Sequence, residues 1–206
     1  QTISFTNITS ASGMPATLRN VQAVVMEDWN RDHVMDVIAS RTDRPPLLLE
    51  KQRGGKLVPR EQSGWVGGSA FCAGDFDNDL RPDLAVVGAE SISICFNGGE
   101  RKEIAVPGGE AFRQLVPDDY DNDGWDDVVV DGRRLLRNDQ GTLVDVSEEA
   151  GLETDKGTGA VWGDYDNDGC LDLFTFIEDP STADILYRNN CEGGLEQVTA
   201  AARIVD

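Results

Sequence analysis

Apolar runs of four to seven residues, rich in β-branched side chains, alternate along the chain with polar segments containing Asn, Asp and Gly. The pattern is clearest near the end, where Gly159-Ala-Val-Trp-Gly163, Leu171-Asp-Leu-Phe-Thr-Phe-Ile177, Asp184-Ile-Leu-Tyr-Arg188 and Leu195-Glu-Gln-Val-Thr199 follow one another as four short strands. A preceding copy runs 112–116, 127–130, 134–137 and 143–147. Two earlier copies are more divergent, with first strands at 22–26 and 69–73 and second strands at 34–39 and 84–87. Runs of this length and composition fit strands better than helices. The segments beginning at Asn97, Asn138 and Asn189 supply residues that tolerate the positive φ of hairpin tips. The pattern predicts an all-β fold, a β-propeller or propeller segment built from four blade-like repeats of four antiparallel strands.

An acidic loop joins the first two strands of every repeat. The loops start at Asp28, Asp75, Asp119 and Asp164, at steps of 47, 44 and 45 residues, a period typical of propeller blades. One repeat domain, 1–206, is expected, with repeats at 20–60, 67–107, 111–147 and 158–199. Residues 3–9 match the closing stretches 143–152 and 195–202, so an extra closing strand precedes the first repeat. A closed four-blade ring would leave that strand surplus. An open arc of a larger propeller, or pairing of the spare edge with a neighbouring chain, remain as alternatives.

Each loop has the ligand spacing of a calcium cage, with side-chain oxygens at positions 1, 3 and 5, a carbonyl at position 7 and a carboxylate at position 9. The candidate ligands are Asp28, Asn30, Asp32, Val34 and Asp36 in loop one and Asp75, Asp77, Asp79, Arg81 and Asp83 in loop two. They are Asp119, Asp121, Asp123, Trp125 and Asp127 in loop three, and Asp164, Asp166, Asp168, Cys170 and Asp172 in loop four. Up to four Ca2+ ions are expected, most strongly in loops three and four. Gly124 and Gly169 fill the sharp-turn position there, whereas His33 and Leu80 replace that glycine in loops one and two. Asn30 also leaves loop one with one carboxylate fewer, which ranks it weakest. Magnesium, which demands tight octahedral geometry and keeps its waters, fits five ligands from one loop less well.

The formal net charge of -20 comes from 38 acids against 18 bases, and 15 of those acids are loop carboxylates. Four bound Ca2+ would leave about -12, still unsuited to nucleic acid or an anionic membrane. No stretch of 18 apolar residues offers a membrane span, and the start at Gln1 shows no charged-then-apolar leader, as in a processed product. Weak calcium loops suit extracellular calcium, so a secreted or cell-surface location is expected. Asn7-Ile-Thr9 forms a glycosylation sequon. Cys170 in loop four and Cys191 in a following turn would fall at the same end of a blade, compatible with a disulfide. Cys72 and Cys95, in apolar strands, read as buried free thiols. The lone histidine, His33, lies inside a loop and has no partners for a triad or zinc centre. Trp162 reads as core, Trp29 at loop position 2 as exposed, and Trp65, between repeats, as packing or as a sugar-stacking platform.

The loops, together with the stretches 144–152 and 184–190, resemble FG-GAP repeats of the integrin α-subunit type, especially the variant in cartilage acidic protein and ASPIC/UnbV-like proteins. The resemblance covers nearly the whole chain. It implies a propeller with structural calcium between the first two strands of each blade, in proteins that mostly serve adhesion, surface recognition or matrix assembly. The expected function is a noncatalytic, calcium-stabilised extracellular adhesion or assembly module that binds a protein or glycan and could self-associate through an edge strand. A carbohydrate-recognition module, or the scaffold of a secreted polysaccharide-active enzyme, is the alternative.

Overall fold

The computed structural model describes residues 7, 9–15, 18, 21, 23–41, 44–88, 91–106, 112–153 and 157–200. Blade one comprises β1 (Val24–Glu27), β2 (Asp36–Arg41), β3 (Arg44–Lys51) and β4 (Leu57–Arg60), and blade two β5 (Phe71–Gly74), β6 (Asp83–Val87), β7 (Ser91–Cys95) and β8 (Arg101–Ala105). Blade three comprises β9 (Leu115–Asp118), β10 (Asp127–Val130), β11 (Arg134–Asn138) and β12 (Leu143–Asp145). Blade four comprises β13 (Gly159–Gly163), β14 (Asp172–Phe176), β15 (Ile185–Asn189) and β16 (Leu195–Gln197). Each blade is a four-stranded sheet whose strands pair in chain order, antiparallel throughout. Most of the extra closing strand expected at 3–9 lies outside the described residues.

The core lies between sheets, not within any one of them. Alternate side chains of a strand point to opposite faces, so a blade flanked on both sides needs apolar residues at successive positions. Every residue of β6 and β10 is accordingly buried. Ile38 and Leu48 of blade one pack against Phe71, Leu84 and Val86 of blade two. Ala85, Ile92 and Ile94 meet Leu115, Val128 and Leu136 of blade three, and Val129 and Leu135 meet Leu173, Ile185 and Tyr187 of blade four. The first strands pack in sequence, β1 on β5, β5 on β9 and β9 on β13. At the two ends Val24, Met26, Val161 and Phe176 are exposed, so among the described residues the blades form an open arc.

Three local features depart from the sequence reading. The repeat-three closing strand ends at Asp145, and the next residues wind into one helical turn, α1 (Ser147–Ala150), stopped by Gly151 at φ 86°. Asp145 initiates the change by accepting hydrogen bonds from the Ser147 N–H and hydroxyl, an alternative to the strand ladder. β3 begins Arg44-Pro-Pro, a poor start for an interior strand, and is accommodated by a register shift opposite Ala39 and Arg41. Trp29 is buried, 7% exposed, and meets Trp65 edge-to-face with ring centroids 5.0 Å apart. Both rings fill the gap between blades one and two, so Trp65 is packing, not a sugar platform. Trp162 is partly buried and stacks on Tyr120, 5.9 Å between centroids.

Candidate metal centres

One hydrogen-bond scheme shapes all four loops. The position-1 carboxylate accepts the position-5 N–H on Oδ1, at 2.9 Å for Asp28, 3.0 Å for Asp75 and Asp119, and 3.1 Å for Asp164. Its Oδ2 accepts the position-6 N–H, from His33, Leu80, Gly124 and Gly169 in turn. The position-5 Oδ1 then accepts the N–H of Val34, Arg81, Trp125 or Cys170. The chain can curl this tightly only with positive φ at positions 4 and 6. His33 (66°) and Leu80 (65°) take it up like Gly124 (92°) and Gly169 (95°). A side chain in this left-handed region costs roughly 1–2 kcal/mol. Leu80 is 71% exposed and makes little packing. Leu80→Gly is therefore expected to raise stability by about 0.5–1 kcal/mol after the added flexibility of glycine is subtracted, seen as a higher denaturant midpoint at unchanged slope; an unchanged or lower midpoint would refute the strain.

This curl gathers carboxylates. In loop two Asp75, Asp77 and Asp83 each bring an oxygen within 4.8 Å of the others, as do Asp119, Asp121 and Asp127 in loop three and Asp164, Asp166 and Asp172 in loop four. Positions 1, 3 and 9 thus converge. Position 5 stands outside each triad, and in loop two Asp79 turns to its neighbour Arg81, whose guanidinium lies 2.5 Å away and holds the Asp79 carboxyl low. Loop one forms no such triad among the described residues, with Asn30 at its third position. Asp168 also lies near Cys170 and Cys191, but those two sulfurs are joined in a disulfide, Cα atoms 5.6 Å apart, and offer no thiolate. Cys72 and Cys95 are buried free thiols.

The position-9 aspartates begin β2, β6, β10 and β14 and are wholly buried. Burial raises all four; Asp83 reaches about 7 and Asp127 about 8, with neighbouring loop carboxylates adding to the effect. Burial, then adjacent loop carboxylates, also raises Asp77 and Asp121. Buried oxygens Asp36 Oδ2 and Asp121 Oδ1 have no hydrogen-bond partner. A buried carboxylate oxygen without a partner is costly, and crowded carboxylates repel. A divalent cation at the convergence point removes both penalties, and an all-oxygen, all-carboxylate donor set suits a hard ion. The residues present fit such an ion.

A set of asparagines that the sequence reading treated only as turn residues connects these loops to one another. Asn97, Asn138 and Asn189 donate their backbone N–H to Oδ1 of Asp83, Asp127 and Asp172 at 2.7–2.9 Å. Their Nδ2 groups bond the position-8 carbonyl of their own loop, from Pro82, Asp126 and Leu171. The same Nδ2 reaches the position-2 carbonyl of the preceding blade's loop: Trp29 at 3.4 Å, Phe76 at 3.1 Å and Tyr120 at 2.7 Å. Asp126 adds a further tie, accepting the Asp75 N–H at 2.7 Å across the blade boundary, an approach that a side chain at Gly74 would block. Acidic loops one, two and three are therefore each fastened to the next blade.

The FG-GAP-like repeat family matches the chain at residues 75–130 and 119–175, two overlapping spans that each run from one acidic loop into the strands of the next. This is an FG-GAP-like repeat protein. Among solved structures, a lectin from Agrocybe aegerita, described by its recognition of non-reducing terminal N-acetylglucosamine, aligns with a TM-score of 0.57 at 14% identity, covering 85% of this chain and 51% of the lectin. BBS1N, solved in complex with ARL6DN, aligns with a TM-score of 0.55 at 15% identity over 85% of this chain and 51% of its own. The FG-GAP chain thus spans about half the length of these propeller-type structures, and likeness at such identity shows the fold alone. No curated protein sequence matches it.

Proposed function

We propose that this FG-GAP protein is a noncatalytic, calcium-organised propeller module that acts at an extracellular surface in adhesion or assembly, presenting its blades to a protein or glycan partner. The observation that carries the reading is the repeated convergence of positions 1, 3 and 9 into carboxylate triads with raised, buried aspartates. Calcium at three or four such points, with position-5 carboxylates and position-7 carbonyls completing the shells, would stiffen each loop and, through Asn97, Asn138 and Asn189, each blade boundary. The Cys170–Cys191 bridge, which closes loop four onto the tip after β15, belongs with an oxidising compartment. The aspartates with raised values accept main-chain N–H groups at strand starts, an arrangement suited to scaffolding, and His33 lies exposed within loop one, its N–H donated to the Asp28 carboxylate.

Metal counting on the dialysed protein, paired with thermal unfolding in calcium and in chelator, tests the proposal. Two to four bound ions and a large loss of stability in chelator are expected, since an ion that binds only the folded loop stabilises it. Asp168→Ala should lower the calcium-bound melting temperature more than Asp32→Ala, because loop four holds a triad and loop one does not. No bound calcium, or the reverse order of the two variants, would overturn the assignment. A second reading, glycan recognition, draws on the similar lectin's recognition of non-reducing terminal N-acetylglucosamine, and a glycan array separates it from protein-mediated adhesion.

A further inference from the structure

The buried aspartates that close the loops are wired to one another. Asp83 Oδ2 accepts the Phe76 N–H at 3.1 Å, the Phe76 carbonyl accepts Asn138 Nδ2 at 3.1 Å, and the Asn138 main-chain N–H bonds Asp127 Oδ1 at 2.7 Å. The other oxygen of Asp127 begins the next stretch. It accepts the Tyr120 N–H at 3.1 Å, the Tyr120 carbonyl accepts Asn189 Nδ2 at 2.7 Å, and the Asn189 N–H bonds Asp172 Oδ1 at 2.9 Å. One hydrogen-bonded line therefore runs through Asp83, Phe76, Asn138, Asp127, Tyr120, Asn189 and Asp172, and none of these residues is more than 1% exposed. It joins the position-9 carboxylates of loops two, three and four. The line stops short of loop one. Asn97 bonds Asp83 Oδ1 through its N–H, but its amide reaches the Trp29 carbonyl only at 3.4 Å, a weak contact. Beyond Trp29, Asp36 Oδ2 is the counterpart of the oxygens that accept the Phe76 and Tyr120 N–H groups, and it has no partner.

Such a line makes the sites depend on one another for a geometric reason. The planar amide of Asn138 directs one N–H to its own loop, at the Asp126 carbonyl 3.0 Å away, and the other to Phe76 in the loop before it. Asn189 divides its two donors in the same way between Leu171 and Tyr120. Neither carbonyl of a pair can shift without misplacing the amide for the other. An ion that fixes Asp127 would therefore fix the frame of Asp172 through Tyr120 and Asn189, and that of Asp83 through Asn138 and Phe76. Order imposed by the first ion is not required again of the next, which is the condition for positive cooperativity. Burial strengthens the effect, because hydrogen bonds in a low-dielectric line polarise one another. Between loops two and three the bond from the Asp75 N–H to the Asp126 carboxylate adds a second tie.

We propose that loops two, three and four bind calcium as one cooperative unit, with Asn138 and Asn189 as the positioning residues that couple them, and that loop one binds independently. The proposal rests on the calcium reading above and adds its regulation. Coupled sites fill and empty over a narrower range of calcium concentration than independent ones, so the boundaries between blades two, three and four would stiffen together.

Backbone amide NMR of the full chain during a calcium titration reads each loop separately, because the N–H groups of Leu80, Gly124 and Gly169 bond the position-1 carboxylates of loops two, three and four. Asp121→Ala, which removes the loop-three triad, is expected to raise the calcium concentration at half-change by at least about fivefold at both Leu80 and Gly169. Asp28→Ala, in loop one, should leave both within about twofold of the parent. In an Asn189→Ser background, which alters no charge, the effect of Asp121→Ala on Gly169 should shrink to less than about twofold while that on Leu80 persists. Asn138→Ser should do the opposite, sparing the effect at Gly169 and diminishing that at Leu80, where the Asp126 tie remains. Each variant keeps one link as its own control, so a general loss of folding, which would show at both amides, is not mistaken for uncoupling. Midpoints at Leu80 and Gly169 indifferent to Asp121→Ala, or a rise at Gly169 that survives Asn189→Ser and so acts by charge through space, would overturn the proposal. Amides that ignore calcium altogether would sink the calcium reading itself, a result distinct from loops that respond one at a time.

Discussion

Asp127→Ala is expected to cost about 2–4 kcal/mol of stability even in chelator, where Asp123→Ala on the same loop costs less than about 1 kcal/mol. Asp127 is fully buried at the start of β10 and accepts two main-chain N–H groups, from Asn138 at 2.7 Å and Tyr120 at 3.1 Å. Removing its carboxyl leaves both buried donors without a partner, each worth roughly 1–3 kcal/mol, offset in part by the relief of one crowded, buried acid. It also loosens Asn138, and with it the bonds to the Phe76 and Asp126 carbonyls that join blade two to blade three. Asp123 lies at the outside of the loop, and its Oδ1 serves only the Trp125 N–H. Blade one supplies a control. Asp36 accepts the Lys51 N–H but its Oδ2 has no partner, so Asp36→Ala should cost less than Asp127→Ala in chelator. Denaturant unfolding of the three variants without metal measures this directly; equal, small losses would mean that position 9 serves the ion alone.

That dual use of position 9 marks where sequence reasoning stopped. The loops were legible because their ligands come from nine consecutive residues at a repeating step, and local spacing survives folding unchanged. Four strands per repeat were legible for a related reason: Leu84–Val87 and Asp127–Val130 are apolar at successive positions because blades press on both faces. Contacts that join distant residues left no such mark. Asn138 and Phe76 are 62 residues apart, and Asn189 and Tyr120 are 69 apart, and an asparagine beside a glycine-containing tip reads first as a turn residue. Positive φ in fact falls just beyond them, at Gly99, Gln140 and Cys191. The recurrence of Asn97, Asn138 and Asn189 at the same strand end, with Lys51 breaking the series, was the available signal. Trp29 reads as exposed from its loop position, and only the neighbouring blade and Trp65 bury it. β3 was hidden by Pro45 and Pro46, which a register shift absorbs.

Without metal the protein should become less stable from pH 5 to pH 8, and with saturating calcium that decline should vanish. Burial pushes Asp127 up to about 8 and Asp83 to about 7, while the same groups in the unfolded chain titrate near 3.8. Between its unfolded and folded values each group holds its proton in the folded chain and has lost it in the unfolded chain, so folding takes up protons and weakens as pH rises. One such group contributes a slope of about 1.4 kcal/mol per pH unit within its window. The contribution is complete below the unfolded value, and it is lost on rising through about 7 for Asp83 and about 8 for Asp127. Bound calcium would reverse the logic by holding both carboxyls ionised in the folded loop, so no proton would be taken up and that source of pH dependence would be removed. Melting curves in chelator and in calcium at pH 5, 6, 7 and 8 should therefore diverge, and the stabilisation by calcium should be smallest at pH 5. Position 9 can be checked within the same series. Asp127→Asn has no carboxyl to titrate at that position, so its chelator curve should fall less steeply than that of the parent, whatever its absolute stability. Parallel curves in chelator and calcium would mean that the buried aspartates neither take up protons when the ion is absent nor release them when it binds. The electrostatic reason for placing a cation in these loops would then be gone.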